Sequence, residues 1–110
     1  FIHVNDLVNA HYLAFKKLRY SKGCFDFNLG NGNGFSVLEI IKSCELVTKK
    51  KVNYEYLNSR AGEPEYLVAD SSKAISDLNW KVAHGDINEI IKSAWKWHIR
   101  LYNEIIKNKN

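Results

Sequence analysis

The chain has 110 residues, of which 45% are apolar and 13% aromatic, and its formal net charge is +4. That apolar content excludes an intrinsically disordered chain. No apolar run approaches the roughly 20 residues of a membrane-spanning helix, so we expect no membrane partner. The length fits one domain with a modest core.

The cysteine pattern and the first residue give further expectations. Cys24 and Cys44 are isolated in the sequence, with no C-x-x-C pair and no metal-ligand spacing. Two buried thiols in a cytoplasmic protein is the favoured interpretation, and a single disulfide is the alternative. No secretory signal is visible. The chain starts on Phe1 and contains no methionine, which favours a piece of a longer protein.

The first predicted elements are a strand, a helix and a second strand. Residues 1–4 predict a short strand, and Asn5 or Asp6 can cap a helix that runs to about Tyr20. In residues 25–29, apolar and polar side chains alternate with the period of a strand. This order favours parallel pairing through a right-handed crossover.

A glycine-rich loop follows the second predicted strand. Its glycines have the pattern G-x-G-x-G at Gly30, Gly32 and Gly34, and Phe35 stands where a dinucleotide fingerprint needs its third glycine. The Lys-Ser/Thr pair of a phosphate-binding P-loop is also absent. The loop therefore favours a glycine-permitted bend over a phosphate cradle. Ser36 and Glu39 then form a capping box, which predicts a helix over residues 37–49.

The second half of the chain predicts alternating short elements. Residues 52–56 predict a strand, residues 66–69 a short extended piece, and Asp70 or Ser71 the start of a short helix that ends near Leu78. A second capping box pattern, Asp86-x-x-Glu89, precedes a helix whose apolar residues recur at i, i+3, i+4 and i+7.

The only lysine triplet, Lys49–Lys51, stands at the C-terminal end of the helix predicted over residues 37–49. Cations at a helix C-terminus are favoured by the helix dipole, so a solvated helix end is the favoured interpretation. A nucleic-acid-binding patch is the alternative. We therefore expect no nucleic acid partner.

The Tyr12–Lys16 pair and the four histidines are the side chains most often found in catalytic centres, but their pattern indicates none here. Tyr12 and Lys16 have the spacing of the Tyr-x-x-x-Lys pair of short-chain dehydrogenases, but i, i+4 neighbours arise by chance on any helix and no dinucleotide fingerprint precedes them. The four histidines have neither metal-ligand spacing nor a nucleophile beside them. We expect no metal site.

The loop that contains Arg60, Gly62 and Glu63 is a candidate binding site. An arginine side chain offers a planar fork of donors that fits phosphate oxygens. Gly62 allows a ligand to approach closely, and the Glu63 carboxylate can accept hydrogen bonds from paired hydroxyls such as those of a ribose. The alternative is a surface turn with a weak local Arg–Glu pair.

Several motifs in this order resemble the C-terminal portion of the UDP-glucose 4-epimerases, which belong to the extended short-chain dehydrogenase/reductase superfamily. The resemblance covers about residues 1 to 98. The motifs that carry it are FIHVNDLVNAH, FNLGNGNGFSVLEII, SRAGEPEYLVADSSKA, LNW and AWKWH.

The resemblance implies an α/β fold in two parts. Residues 1–29 would be the last helix and strand of a Rossmann-type, NAD-binding lobe, and residues 30–110 a small α/β lobe that binds the UDP-sugar. The parent enzyme would be a cytoplasmic homodimer that interconverts UDP-glucose and UDP-galactose with NAD, in galactose metabolism. Because the dimer forms through the Rossmann lobe, we do not expect it from this chain.

The resemblance also implies roles for two residues. Arg60 matches the arginine that binds the UDP diphosphate, and Glu63 stands where the family usually has an aspartate that binds the uridine ribose. Glu63 is one methylene longer than that aspartate, and Ser59 replaces a second arginine that the family often has. The resemblance assigns no catalytic or NAD-binding residue to this chain, because the NAD fingerprint and the catalytic Tyr-x-x-x-Lys are not in it. We therefore predict that the 110 residues alone are inactive.

Three alternatives stay open on the sequence. The chain could be a non-catalytic module that binds nucleotide sugars or another protein. It could belong to a sugar-nucleotide dehydratase or decarboxylase of the same superfamily. It could also be a basic nucleic-acid-binding domain.

Overall fold

The computed structural model describes residues 1–107, which contain four helices. These are α1 (Val4–Tyr20), α2 (Val37–Thr48), α3 (Ser72–Leu78) and α4 (Ile87–Lys107). The chain divides into two compact units that alternate along the sequence. Unit 1 comprises Phe1–Phe35 and Glu55–Gly85, and unit 2 comprises Ser36–Tyr54 and the described residues of Asp86–Asn110. No helix within residues 1–107 combines the length and the apolar character needed to span a bilayer.

Unit 1 is built around Trp80, which is completely buried. It packs with three other buried residues, Ala10 of α1 and Ala74 and Leu78 of α3. The Trp80 indole N–H donates to the carbonyl oxygen of Asp6 at 2.9 Å, so the one polar atom of the ring is satisfied inside the core. The apolar contact between α1 and α3 therefore centres on this tryptophan.

Asp6 has a different role from the predicted one. The helix begins earlier, at Val4, and its N-cap is His3, whose Nδ1 accepts from the Asn5 N–H at 3.1 Å. The Asp6 side chain is instead buried and accepts from the backbone N–H groups of Ala83 and His84 at 3.2 and 2.9 Å. The prediction that Asn5 or Asp6 caps α1 was therefore wrong, because a long-range bond takes the Asp6 carboxylate.

Helix α2 begins as the capping box predicted. The Ser36 hydroxyl accepts from the Glu39 N–H at 3.2 Å, and the Glu39 carboxylate accepts from the Ser36 N–H at 2.7 Å. The hydrogen bond from the Ser36 N–H, and after it one from the Ser36 hydroxyl to the same carboxylate at 2.8 Å, lower the pKa of the exposed Glu39 carboxyl. The helix ends at Thr48, and Lys49 follows in the left-handed conformation with φ of 57°.

Helices α3 and α4 also begin close to the predicted residues. The Asp70 carboxylate accepts from the Ser72 N–H at 2.9 Å at the start of α3, while the Ser71 hydroxyl makes no cap bond. The Asp86 carboxylate accepts from the Asn88 N–H at 2.8 Å at the start of α4. In unit 2, α4 packs against α2.

The predicted sheet is not found within residues 1–107. None of the four segments expected to be extended (residues 1–4, 25–29, 52–56 and 66–69) is a strand there. A strand is defined by a ladder of hydrogen bonds to a neighbouring strand, and no such ladder joins these segments within residues 1–107. The part of the fold prediction that placed a Rossmann-type strand and a small α/β lobe in this chain is therefore not confirmed.

Candidate functional site

The loop at Arg60 is a tight turn held by two hydrogen bonds. The Glu63 N–H donates to the Arg60 carbonyl oxygen at 3.1 Å, which closes a four-residue turn. Gly62, at its third position, has φ of +84°, and only glycine adopts such an angle without strain. The Glu63 carboxylate accepts from the Arg60 N–H at 3.1 Å. Gly62 and Glu63 thus hold the backbone of this turn in one conformation.

The hydrogen bonds of this turn leave the Arg60 guanidinium available to bind a ligand. The Glu63 carboxylate accepts from the backbone N–H of Arg60 and not from its guanidinium. The Arg–Glu side-chain pair that was the alternative for this loop therefore does not form. Within residues 1–107 no hydrogen bond or ion pair engages the Arg60 guanidinium, and both side chains are exposed. An exposed guanidinium on a fixed turn can bind a planar anionic group such as a phosphate through two parallel hydrogen bonds.

The glycine loop lines a groove of about 490 Å³ in unit 1. A Cβ at Gly30 would lie 3.0 Å from the Cβ of Ala69, and one at Gly34 would lie 3.1 Å from the Tyr66 hydroxyl. Gly32 has φ of +79°. The glycines therefore serve close packing and a bend, as predicted.

Two polar side chains of this groove, Asn31 and Ser71, have roles that the sequence did not indicate. Asn31 is buried, and its Oδ1 accepts from the Asn33 N–H at 3.0 Å while its Nδ2 donates to the Gly85 carbonyl oxygen at 3.5 Å. Ser71 is buried, and its hydroxyl donates to the Gly30 carbonyl oxygen at 3.1 Å. An Asn-Gly pair is a signal for a turn, but no local pattern indicates bonds across 41 or 54 residues.

Other candidate residues form no constellation in the described part of the chain. Tyr12 and Lys16 lie together on the exposed surface of α1, with Lys16 Nζ 5.7 Å from the ring centroid. No group of three His, Cys, Asp or Glu residues among residues 1–107 could hold a metal ion. Cys24 and Cys44 are free thiols, as the sequence favoured, but the prediction that both are buried was wrong, because Cys24 is exposed and Cys44 is half-buried.

Three relatives and two solved structures that are similar to this chain are UDP-glucose 4-epimerases. No protein-family model matches the chain. It is 44% identical over 98 residues to the UDP-glucose 4-epimerase of Halalkalibacterium halodurans, a match that covers 89% of this chain and 29% of the relative. It is 42% identical to that of Lactobacillus helveticus, covering 89% of this chain and 30% of the relative. For Dictyostelium discoideum the identity is 39%, covering 88% and 28%.

Solved structures agree with these matches. A crystal structure of UDP-glucose 4-epimerase superposes with a TM-score of 0.85 at 44% identity, over 94% of this chain and 31% of that one. The UDP-glucose 4-epimerase of Stenotrophomonas maltophila, with bound NAD and formylated UDP-arabinopyranose, superposes with a TM-score of 0.83 at 36% identity, with the same two coverages.

The sequence and the fold thus place the chain with the nucleotide-sugar epimerases. It corresponds to a C-terminal portion of UDP-glucose 4-epimerase. The chain spans about 29% of the length of the relatives it matches.

Proposed function

We propose that this chain is the substrate-binding portion of a UDP-glucose 4-epimerase, which interconverts UDP-glucose and UDP-galactose. The observation that carries the proposal is the Arg60 guanidinium, exposed and uncommitted on a turn fixed by Gly62 and Glu63. The bound UDP-sugar in the Stenotrophomonas maltophila relative supports a ligand that has a diphosphate for Arg60 to bind.

Each residue has a defined role in this proposal. Arg60 binds the diphosphate through charge-assisted hydrogen bonds, which are the strongest kind available to a side chain. Glu63 accepts from the ribose hydroxyls. One of its oxygens already accepts from the Arg60 N–H, but an ionised carboxylate has about four acceptor positions. Glu63 therefore couples the ribose contact to the backbone of Arg60.

The hydride chemistry lies outside these residues. NAD, which is bound in the Stenotrophomonas maltophila relative, accepts and returns the hydride when it is present. The glycine loop does not have the spacing that binds a dinucleotide pyrophosphate, since Phe35 stands where the third glycine is needed. We therefore assign no contact to NAD and no catalytic residue to this chain.

The cellular setting follows from the same proposal. We place the full-length enzyme in galactose metabolism, in the extended short-chain dehydrogenase/reductase superfamily and in the cytoplasm, as a homodimer. The free thiols of Cys24 and Cys44 fit a reducing compartment.

The chain alone is expected to be inactive. Purified chain supplied with UDP-galactose and NAD should form no UDP-glucose above the buffer background, because the resemblance places neither the catalytic Tyr-x-x-x-Lys pair nor the NAD fingerprint within these residues. The Halalkalibacterium halodurans epimerase, assayed alongside, is the positive control. Conversion by the chain alone would contradict this assignment, since it would require a complete catalytic set within these residues.

A further inference from the structure

Helix α4 extends past the helix that packs against it. Helices α2 and α4 start close together, because the Asn31 side chain donates to the carbonyl oxygen of Gly85 and each helix begins shortly after one of these residues. Helix α2 ends at Thr48, which lines a cavity of about 450 Å³ together with His98 of α4. From His98 to Lys107, α4 continues for about 13 Å. We call residues 96–107 the α4 end, and all of them are exposed.

The α4 end divides into an apolar and a charged face. At 3.6 residues per turn, its large apolar side chains occupy an arc of about 200° of the helix circumference. These side chains are between 41% and 61% exposed. The opposite arc holds the charged side chains of Lys96, Arg100, Glu104 and Lys107, so cations outnumber carboxylates there. The apolar arc comprises Trp97, Ile99, Leu101, Tyr102, Ile105 and Ile106, with His98 among them.

A second group of cations lies beside the α4 end. The Lys50 ammonium is 5.5 Å from the centroid of the Trp95 ring, and Trp95 stacks on His98 with their ring centroids 5.7 Å apart. The triplet Lys49–Lys51 therefore lies next to the point where α2 stops covering α4. Within residues 1–107 no ion pair neutralises these three lysines.

We propose that the α4 end and the lysine triplet form a surface that binds reversibly to an anionic membrane. The apolar arc enters the boundary between headgroups and acyl chains, and the lysines bind the phosphates of the headgroups. The expectation of no membrane partner rested on the length of a spanning helix. A helix that lies on a membrane needs neither that length nor a continuous apolar run.

The width of the apolar arc and the charge favour a membrane over a protein as the occupant. A single partner helix covers a stripe of roughly 100°, and the arc of the α4 end is about twice as wide. A second copy would bring together two surfaces in which cations predominate. The motifs shared with the epimerases end at His98, and Arg60 and Glu63 have no part in this surface. The proposal can therefore fail without affecting the proposed function.

Binding of the 110-residue chain to lipid vesicles tests the proposal. The probes are vesicles of phosphatidylcholine alone and vesicles of equal parts phosphatidylcholine and phosphatidylglycerol. In about 0.1 M NaCl the chain should partition onto the anionic vesicles at least about tenfold more strongly than onto the neutral ones. In about 1 M NaCl this preference should disappear, because the Debye length falls to about 3 Å. Equal partition onto both vesicles, or partition onto neither, would overturn the proposal.

A triple substitution tests the role of the lysine triplet. Replacing its three lysines together should weaken partition onto the anionic vesicles at least about tenfold. Replacing three lysines of unit 1 lowers the net charge equally and should weaken partition much less, because they lie outside the proposed surface. Equal losses in the two variants would overturn the assignment. The substitutions are Lys49→Gln, Lys50→Gln and Lys51→Gln in the first variant, and Lys16→Gln, Lys17→Gln and Lys22→Gln in the second.

A double substitution tests the apolar arc. Ile105→Gln with Ile106→Gln should weaken partition at least about tenfold, because it removes apolar surface that enters the membrane. Val8→Gln with Leu18→Gln is the matched control on the exposed surface of α1, and its partition should stay within about twofold. Equal losses would contradict insertion of the α4 end. A dimer in sedimentation equilibrium that the Ile105 and Ile106 substitutions dissociate would overturn the proposal in favour of a second copy.

Tryptophan emission reports directly on the inserted face. Trp97 is 61% exposed in the chain, so its emission should shift to the blue when anionic vesicles are added. In Trp97→Phe, which keeps an apolar ring, partition should persist while most of the blue shift is lost. A blue shift of the same size in Trp97→Phe would show that another face of the chain contacts the membrane, and would overturn the proposal.

Discussion

In a chimera in which this chain replaces the matching portion of the Halalkalibacterium halodurans epimerase, Arg60→Ala should raise the KM for UDP-glucose at least about tenfold and change kcat much less. The Arg60 guanidinium makes no hydrogen bond or ion pair within the described residues. Its removal should therefore weaken the binding of the ligand without breaking a bond of the fold. A charge-assisted hydrogen bond contributes roughly 1.5–3 kcal/mol, and 1.4 kcal/mol corresponds to a factor of ten. Steady-state kinetics with UDP-glucose at saturating NAD measures the change.

The Arg60 substitution can be separated from damage to the turn. Both hydrogen bonds that close the turn use the backbone of Arg60, and alanine keeps them. Arg60→Lys should have an intermediate effect, because lysine keeps the charge and loses the planar fork. Arg100→Ala is the matched control, since its guanidinium pairs with Glu104 at 3.0 Å on the exposed surface of α4. Its KM should stay within about twofold, because exposed ion pairs contribute little. An unchanged KM for Arg60→Ala would remove this residue from the binding site.

Trp80→Ala should lower the free energy of unfolding of the chain by about 4 kcal/mol. Trp80 is completely buried, so truncation leaves a cavity, and it also leaves the Asp6 carbonyl oxygen without its indole donor. Whole proteins have only about 5–15 kcal/mol of stability, so this variant should be close to unfolded. Urea titration followed by far-UV circular dichroism measures the change.

Two further variants identify the cause of the loss at Trp80. Trp80→Phe keeps most of the apolar volume and removes the N–H donor, and it should lower the free energy of unfolding by about 1–2 kcal/mol. Trp97→Ala is the control, because Trp97 is 61% exposed and its loss should change the same quantity by at most about 0.5 kcal/mol. Equal losses for Trp80→Ala and Trp97→Ala would show that the core does not centre on Trp80.

The helices were largely predictable from the sequence, because their signals are local. The Ser36–Glu39 capping box marks the start of α2 with side chains three residues apart, and the structure contains both of its reciprocal bonds. Asp86 similarly marks the start of α4. At α1 the local signal was misleading, since the Asp6 carboxylate binds backbone N–H groups 77 and 78 residues away.

The sheet and the site could not be predicted to the same extent. The alternation in residues 25–29 is present in the structure, but a strand also needs a neighbour, and the described residues supply none. At the site, the sequence singled out Arg60 and Glu63 but not their geometry. The bond from the Arg60 N–H to the Glu63 carboxylate, and not a side-chain pair, is what leaves the guanidinium exposed. The roles of Arg60 and Glu63 in binding a UDP-sugar stay predictions.

The activity of the chimera tests the central claim most directly, namely that this chain serves as the substrate-binding portion of a UDP-glucose 4-epimerase. Purified chimera should convert UDP-galactose to UDP-glucose with kcat/KM within about tenfold of the Halalkalibacterium halodurans enzyme. The matched residues are 44% identical, and the turn that presents Arg60 is fixed by the chain itself. A chimera that folds and binds NAD but neither converts nor binds the UDP-sugar would contradict the claim.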